Sequence, residues 1–251
     1  MNKNTSWENT KEWYNSIVGQ KGHYFHQSVI IPNSLRLLDL KENSRLVDLA
    51  CGQGVLERNM PKNIYYLGVD SSTGLIKTAN DLCKSKNHSF ITSDIAKPLM
   101  IENKFTHAAI ILALQNIDNI FGVFENASKV LTNEGKLLIV INHPFSRIPR
   151  HSSWEVDQKN KTIYRKTNKY LSILKIPVLL NPSLGEKSQK TTSYHYPLSQ
   201  IINMLSVNGF LISKIEEWVS DKKSVGKNAH AENKAREEFP LFMAILAIKK
   251  T

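Results

Sequence analysis

The chain has 251 residues, 41% of them hydrophobic and 22% charged, which suits one large globular domain and leaves too little chain for two full-sized ones. Its two cysteines, Cys51 and Cys83, exclude a disulfide framework or a cysteine-built zinc site, and no apolar run approaches the roughly 20 residues of a membrane-spanning helix. The formal charge of +11 admits an anionic partner, but the lysines are scattered and no arginine stripe with interleaved aromatics occurs, so a nucleic-acid partner is the less favoured reading. The polar opening MNKNTSWENTKEW has no apolar h-region, and the expected location is the cytoplasm.

In chain order, two helices are predicted over residues 6–18 and 27–40, separated by Gly19-Gln-Lys-Gly22 and the group His23-Tyr24-Phe25-His26. Residues 1–40 read as an N-terminal helical cap and 41–251 as the main domain. From residue 45 short apolar runs (46–49, 65–69, 89–92, 107–112 and 136–141) alternate with helix-like segments (55–60, 73–83 and 117–131). Runs apolar almost throughout suit strands buried on both faces, and their alternation with helices predicts a parallel, doubly wound α/β sheet. Thr132-Asn-Glu-Gly135 reads as the stop that closes the last of these helices. Beyond residue 141 the rhythm breaks. Prolines and the alternating stretches 162–166 and 170–177 predict a hairpin-like lid inserted over 143–196. A helix over 197–207, a stop at Asn208-Gly209, a strand over 210–219, a polar loop with some helix over 220–239 and a closing strand over 240–248 complete the pattern.

The chemistry concentrates at strand ends. In Leu46-Val-Asp-Leu-Ala-Cys-Gly-Gln-Gly54 a strand ends near an acid and runs into Gly-x-Gly. Glycines there let the backbone turn sharply and approach a ligand that a Cβ would obstruct. The third position of a nicotinamide fingerprint is Glu57, whose charge does not suit a pyrophosphate, and Asp48 would repel that group while pairing well with an α-ammonium. Asp70, with Ser71, ends the second run, where an acid can accept both hydroxyls of a ribose, and Asp94-Ile95 follows the third. Each acid alone has a plain alternative as a helix N-cap; three in order are harder to obtain that way.

The stretch DLACGQG resembles the first motif, Asp-x-x-x-Gly-x-Gly, of the class I S-adenosylmethionine-dependent methyltransferases. The resemblance covers roughly residues 40–142, with a looser match over 190–248 that includes YHYPLSQIINMLSVNGF. It implies a Rossmann-like, seven-stranded, mostly parallel sheet with an N-terminal helical cap and a lid after the fifth strand. It also implies S-adenosyl-L-methionine as cofactor. By the resemblance Asp48, Gly52 and Gly54, in one turn with Ala50 and Cys51, would hold the methionyl part; Asp70 and Ser71 would hold ribose. Asp94 and Ile95 would flank adenine, while Gln115 and Asn116 would face the reaction centre. The family's fourth-strand motif often carries an acid after its leading aromatic; this chain has Phe105-Thr-His107, and that position is left out of the site.

Methyl transfer asks for positioning and exclusion of water, plus a proton acceptor when the nucleophile is a hydroxyl or ammonium. His143, His151 and His195 are the candidate bases. Arg147, Arg150 and Trp154, just beyond the fifth strand, are expected to face substrate, as are Tyr14, His23 and His26 of the cap; for each histidine a structural role is the competing reading. No metal is expected. The fourth strand ends in Leu114-Gln-Asn-Ile117, without the Asp/Asn-Pro-Pro-Tyr/Phe of amino-methylating nucleic-acid enzymes. The favoured activity is therefore methyl transfer to oxygen, nitrogen or carbon of a small molecule. The alternatives are a methyltransferase acting on RNA or protein and a non-catalytic cofactor-binding sensor or assembly module.

Overall fold

Short apolar runs bounded by Gly, Pro or Asp become strands in the computed structural model, which describes residues 7–102, 104–181, 185 and 188–251. Residue 6, the expected start of the first helix, the chain before it and lid positions 182–184 and 186–187 lie outside the described residues. In chain order the regular elements are α1 (Lys11–Val18), α2 (Ile31–Leu38), β1 (Arg45–Leu49), β2 (Tyr65–Asp70), α3 (Thr73–Leu82), β3 (His88–Thr92), β4 (Phe105–Ile111), α4 (Ile120–Val130) and β5 (Leu131–Asn142). Then come β6 (Ser152–Asp157), β7 (Thr162–Thr167), β8 (Leu174–Leu179), β9 (Lys190–His195), α5 (Leu198–Val207), β10 (Phe210–Trp218), α6 (Ala229–Glu238) and β11 (Phe242–Lys249).

Seven strands form one sheet in the order β10-β11-β5-β4-β1-β2-β3. β11 runs antiparallel to both neighbours, and the pairings of β1 through β5 are parallel. This is the Rossmann-like arrangement with its strand order reversing between β1 and β4, the place where doubly wound sheets open a crevice beyond their carboxyl ends. Because side chains alternate across a sheet, β5 sends Leu138 and Val140 into a core shared with α1 and α2, and Leu137, Ile139 and Ile141 into one shared with α4 and α5. Both faces are covered, which is why the strands read as continuous apolar runs. Residues 143–196 hold two antiparallel pairs, β6–β7 and β8–β9.

Four local expectations differ from the structure. Residues 55–60 are not an α-helix: only a 3₁₀ turn, Glu57–Asn59, forms. Pro61 drives Met60 to extended backbone (φ −94°, ψ 159°) and stops the helix before it starts. The helix expected over 27–40 opens instead as a wide π-turn, His26–Ile30, with the N–H of Ile31 bonded to the His26 carbonyl. Pro32 explains it, since proline lacks an N–H and its ring rejects the carbonyl four residues back, so the α-helical ladder begins only at Ile31. That helix ends at Leu38, where Asp39 turns left-handed (φ 48°). Thr132–Gly135 lies inside β5 as a bulge, the register jumping from Phe105↔Leu131 to His107↔Lys136 around left-handed Glu134 (φ 60°).

The cap is tied to the sheet by polar contacts. The Glu8 carboxylate accepts the Ser72 hydroxyl (2.6 Å) and the Gly74 N–H (3.0 Å) at the start of α3, a position where the helix dipole favours an anion. Asn15 donates to the Thr78 hydroxyl (3.1 Å) further along that helix. α1 is thereby laid over the carboxyl ends of β1 and β2.

Candidate active site

A cavity of about 890 Å³ opens beyond the carboxyl ends of β1, β2, β4 and β5. The sheet contributes Ala50, Gly52, Asp70 and Gln115; the cap contributes Trp7, Trp13, Tyr14, His23, Phe25 and His26; the lid contributes Val178, Leu180, Thr191 and Ser193. Asn142, Arg147 and Phe242 close the far end.

The β1 turn is built as the Gly-x-Gly pattern requires. Gly52 (φ 56°) and Gly54 (φ 78°) are left-handed, and a Cβ on Gly52 would come within 3.3 Å of the Tyr14 hydroxyl. Ala50 also sits at φ 63°, a conformation costing a non-glycine residue about 1 kcal/mol or more. The Asp70 carboxylate holds the turn by accepting the N–H of Gly52 (2.9 Å) and of Ser72 (2.9 Å). Burial raises its pKa against these bonds, and burial likewise raises that of the Tyr14 hydroxyl, with Asp70 adding to it. Asp48 is fully buried behind the turn, not on the cavity wall, and accepts the Tyr66 hydroxyl at 2.8 Å. Burial pushes its pKa up to about 7, opposed by that hydrogen bond. Cys51 and Gly54 also lie in the turn without reaching the wall.

Ser71, Asp94, Ile95 and Asn116 do line the cavity. Asp94 caps the Ala96 N–H (3.0 Å) and pairs with Lys97 (3.2 Å). Gln115 donates its amide to the Leu112 carbonyl (2.7 Å), while its buried Oε1 has no hydrogen-bond partner. His23 and His26 stack with ring centroids 3.9 Å apart. Burial, with His23 beside it, holds His26 down to about 3, so this imidazole is neutral near pH 7.

The segment after β5 divides. Arg147 lines the cavity with its guanidinium over the Phe242 ring, 5.2 Å from the centroid. His143 does not: its Nδ1 accepts the N–H groups of Phe145 (3.3 Å) and Ser146 (3.2 Å), and its Nε2 meets Glu217 at 2.6 Å. Both ring nitrogens are spent on holding the turn. Arg150 is exposed with left-handed backbone (φ 61°) and is off the wall. His151 pairs with the Asn168 side chain (2.8 Å), and Trp154 packs on the outer side against Phe239 (5.4 Å between ring centroids) and Arg165. The reason is geometric. A turn of four residues after β5 reverses the chain, so only Arg147 points back over the sheet ends and the following hairpin leads outward.

His195, on β9, borders a side cavity of about 30 Å³ that shares Gln115, Asn142, Arg147 and Ser193 with the large one. Its Nε2–H donates to the Tyr170 carbonyl (2.7 Å), leaving Nδ1 as an acceptor, and burial holds its pKa below the usual range. Sequence reasoning missed Asn142, Ser193 and Phe242 on the wall; Asn142 and Phe242 carry no local signal beyond their place at strand ends, and Ser193, inside β9, carries none. Glu57 turns inward: its carboxylate meets His88 Nδ1 at 2.7 Å and receives the Cys83 thiol at 3.4 Å. Among the described residues these three are the one group of metal-capable side chains, their donor atoms within 4.8 Å of one another, and they lie off the cavity wall.

Residues 47–139 match the family described as methyltransferase domain. A solved S-adenosylmethionine-dependent methyltransferase from Mesorhizobium loti shares the fold with a TM-score of 0.67 and 23% identity, over 86% of this chain and 96% of that one. A putative one from Listeria monocytogenes superimposes with a TM-score of 0.67 at 19% identity, over 88% and 99%. A putative methyltransferase from Haloferax volcanii, solved with the Trm112 methyltransferase activator, gives 0.66 at 11% identity, over 98% of both chains. No curated protein matches the chain, and among the described residues no helix is long and apolar enough to cross a membrane.

Proposed function

We propose, from the premise that this chain is a class I S-adenosylmethionine-dependent methyltransferase, that its acceptor is a small molecule methylated inside the cavity between cap and lid. One observation carries the reading: the cavity, about 890 Å³, runs without interruption from the Gly52 turn to Arg147 and is walled by both the cap and the lid. That volume lies in the range of small-molecule sites, roughly 300–1,000 Å³. An RNA or protein acceptor would instead need an open face.

The residues present fit the cofactor. The turn at Gly52 leaves room only for a ligand and the Tyr14 hydroxyl. Asp70 sits at the tip of β2 on the cavity wall, where its carboxylate accepts backbone N–H groups and can also take hydroxyl donors, and Asp94 and Ile95 line the same wall. The orphaned Gln115 Oε1 would be satisfied by a ligand ammonium. When bound, the cofactor supplies an electrophilic methyl group on a sulfonium.

The protein's own part is to place the acceptor, exclude water and take up a proton. Aromatic side chains of the cap and Phe242 desolvate the acceptor. His195 borders the adjoining small cavity and not the large one; neutral near pH 7 and with Nε2–H fixed on the Tyr170 carbonyl, it keeps Nδ1 to take up, across the residues the two cavities share, the proton that a hydroxyl or ammonium acceptor loses. Of the three candidate histidines it is the one we retain. The setting is taken to be the cytoplasm, where Cys51 and Cys83 stay thiols.

Calorimetry with S-adenosylhomocysteine, followed by methyl transfer from labelled cofactor to size-fractionated cell extract, tests this reading. Label is expected in the small-molecule fraction; label confined to RNA or protein, or an absence of cofactor binding, would overturn it. With an acceptor in hand, His195→Gln is expected to lower kcat by about 10²–10⁴ while leaving cofactor affinity within twofold.

A further inference from the structure

We infer that the acceptor is an organic anion, a carboxylate on an apolar or aromatic body, and that Arg147 binds its oxyanion. This rests on the reading of the cavity as the acceptor site and names what that site recognises.

Arg147 is half-buried beside the cavity, with its guanidinium carbon over the Phe242 ring, 5.2 Å from the centroid. Among the described residues it makes no side-chain hydrogen bond and no ion pair, and its positive charge is not answered by any nearby carboxylate. The charge closest to it is of its own sign, Arg165, which is bonded to the Ser146 carbonyl (2.6 Å) and the Ser152 hydroxyl (2.8 Å). Burial and Arg165 together disfavour the charged form of Arg147, yet a guanidinium does not give up its proton.

Proteins seldom leave such a group unanswered, because a partly buried charge without a counter-ion costs more than the packing it offers. The donor geometry also matters. The guanidinium lies over Phe242 and its N–H groups bond to no described residue, which leaves them for a planar, bidentate partner that a carboxylate matches and a neutral amide does not. Three acids line the cavity: Asp70 and Asp94 already hold backbone N–H groups, and the Asp118 carboxylate lies 4.0 Å from the Lys175 ammonium. Of the two basic side chains on the wall, Lys97 is paired with Asp94 (3.2 Å), whereas Arg147 has no carboxylate beside it. Trp13, Phe25, Val178 and Phe242 line the same cavity and suit an apolar or aromatic body on the acceptor.

The test uses two matched pairs of probes, benzoate with benzamide and acetate with acetamide, on the full chain with and without saturating S-adenosylhomocysteine. Benzoate at about four times its Kd is expected to raise the melting temperature by about 2–4 °C, and benzamide not at all. Arg147→Met should abolish the benzoate shift, leave S-adenosylhomocysteine affinity within twofold, and melt no lower than the parent in anion-free buffer because an unanswered charge has been removed. Arg147→Lys should keep part of the shift. Equal responses to benzoate and benzamide, no response to either anion, or a benzoate shift that survives in Arg147→Met would each overturn the proposal. Should Arg147→Met not fold, the parent protein and Arg147→Lys still decide it. Failure of S-adenosylhomocysteine to bind would sink the methyltransferase reading instead, and the anion measurements on the cofactor-free protein would stand separately.

Discussion

At the scale of single residues the acids of the β1–β2 region are the most informative. Asp48 was expected to meet the cofactor's ammonium, yet it lies behind the turn with its proton affinity raised to about 7 by burial. An unfolded carboxyl titrates near 3.8, so between about pH 4 and 7 the folded chain holds a proton that the unfolded chain has lost. The stability linked to Asp48 is therefore fully present below pH 4 and is lost as pH rises through 7. Asp48→Asn keeps the bond from Tyr66 and carries no charge. It is expected to melt higher than the parent at pH 8, with the advantage shrinking toward pH 4; melting curves at pH 4, 6 and 8 that differ by a constant amount would refute the account. Asp70, by contrast, stays on the cavity wall because its oxygens hold Gly52 and Ser72 rather than a neighbouring side chain.

At the scale of elements, the β6–β7 hairpin depends on a few contacts. A two-stranded pair is marginal alone, and here the Trp154 ring lies between the Arg165 guanidinium (4.9 Å) and the Phe239 ring (5.4 Å). Arg165 also bonds to Ser146 and Ser152, and Thr167 donates to the Phe145 carbonyl (3.0 Å). Amides of this hairpin should exchange faster than those of β4 and β5, whose strands are paired on both sides. Trp154→Ala removes a cation–π and an edge contact, together worth about 1–2 kcal/mol, and should speed hairpin exchange about tenfold. Cofactor affinity should not change, since Trp154 is off the wall. Exchange mass spectrometry reads both; a weakened affinity with unchanged exchange would restore Trp154 to the substrate site.

At the scale of the whole molecule, cap and sheet each bury a neutral histidine. His26 is held down to about 3 and His107 down to about 4, burial being the first cause of each. An unfolded imidazole titrates near 6.5, so the stability linked to these groups is present above pH 6.5 and is lost as pH falls toward 4. Each histidine contributes at most about 1.4 kcal/mol per pH unit in that window. His107→Gln should lose less stability between pH 6.5 and 4 than the parent, measured by urea midpoints, while an equal loss would show that His107 is not buried neutral.

What the sequence determined by itself was the sheet and the residues that its strand ends bring to the cavity wall. Strands buried on both faces leave continuous apolar runs, and a tight turn near a ligand leaves glycines, so β1 through β5, Gly52, Asp70 and Asp94 were legible from local pattern alone. Local chemistry also misled where a proline intervened, at residues 55–60 and before Ile31, because the effect of Pro61 and Pro32 falls on the residues preceding them. Only the tertiary structure decided which residues after β5 reach the cavity. Arg147, Arg150, His143, His151 and Trp154 are similar in sequence distance from β5, and which of them faces the cavity depends on the chain reversal after Asn142 and on Glu217, Phe239 and Phe242, which lie far along the chain. A side chain's direction after a strand is set by the partners that capture it. Those partners come from β10, β11 and the segment between them, so no window of sequence around residue 147 contains them.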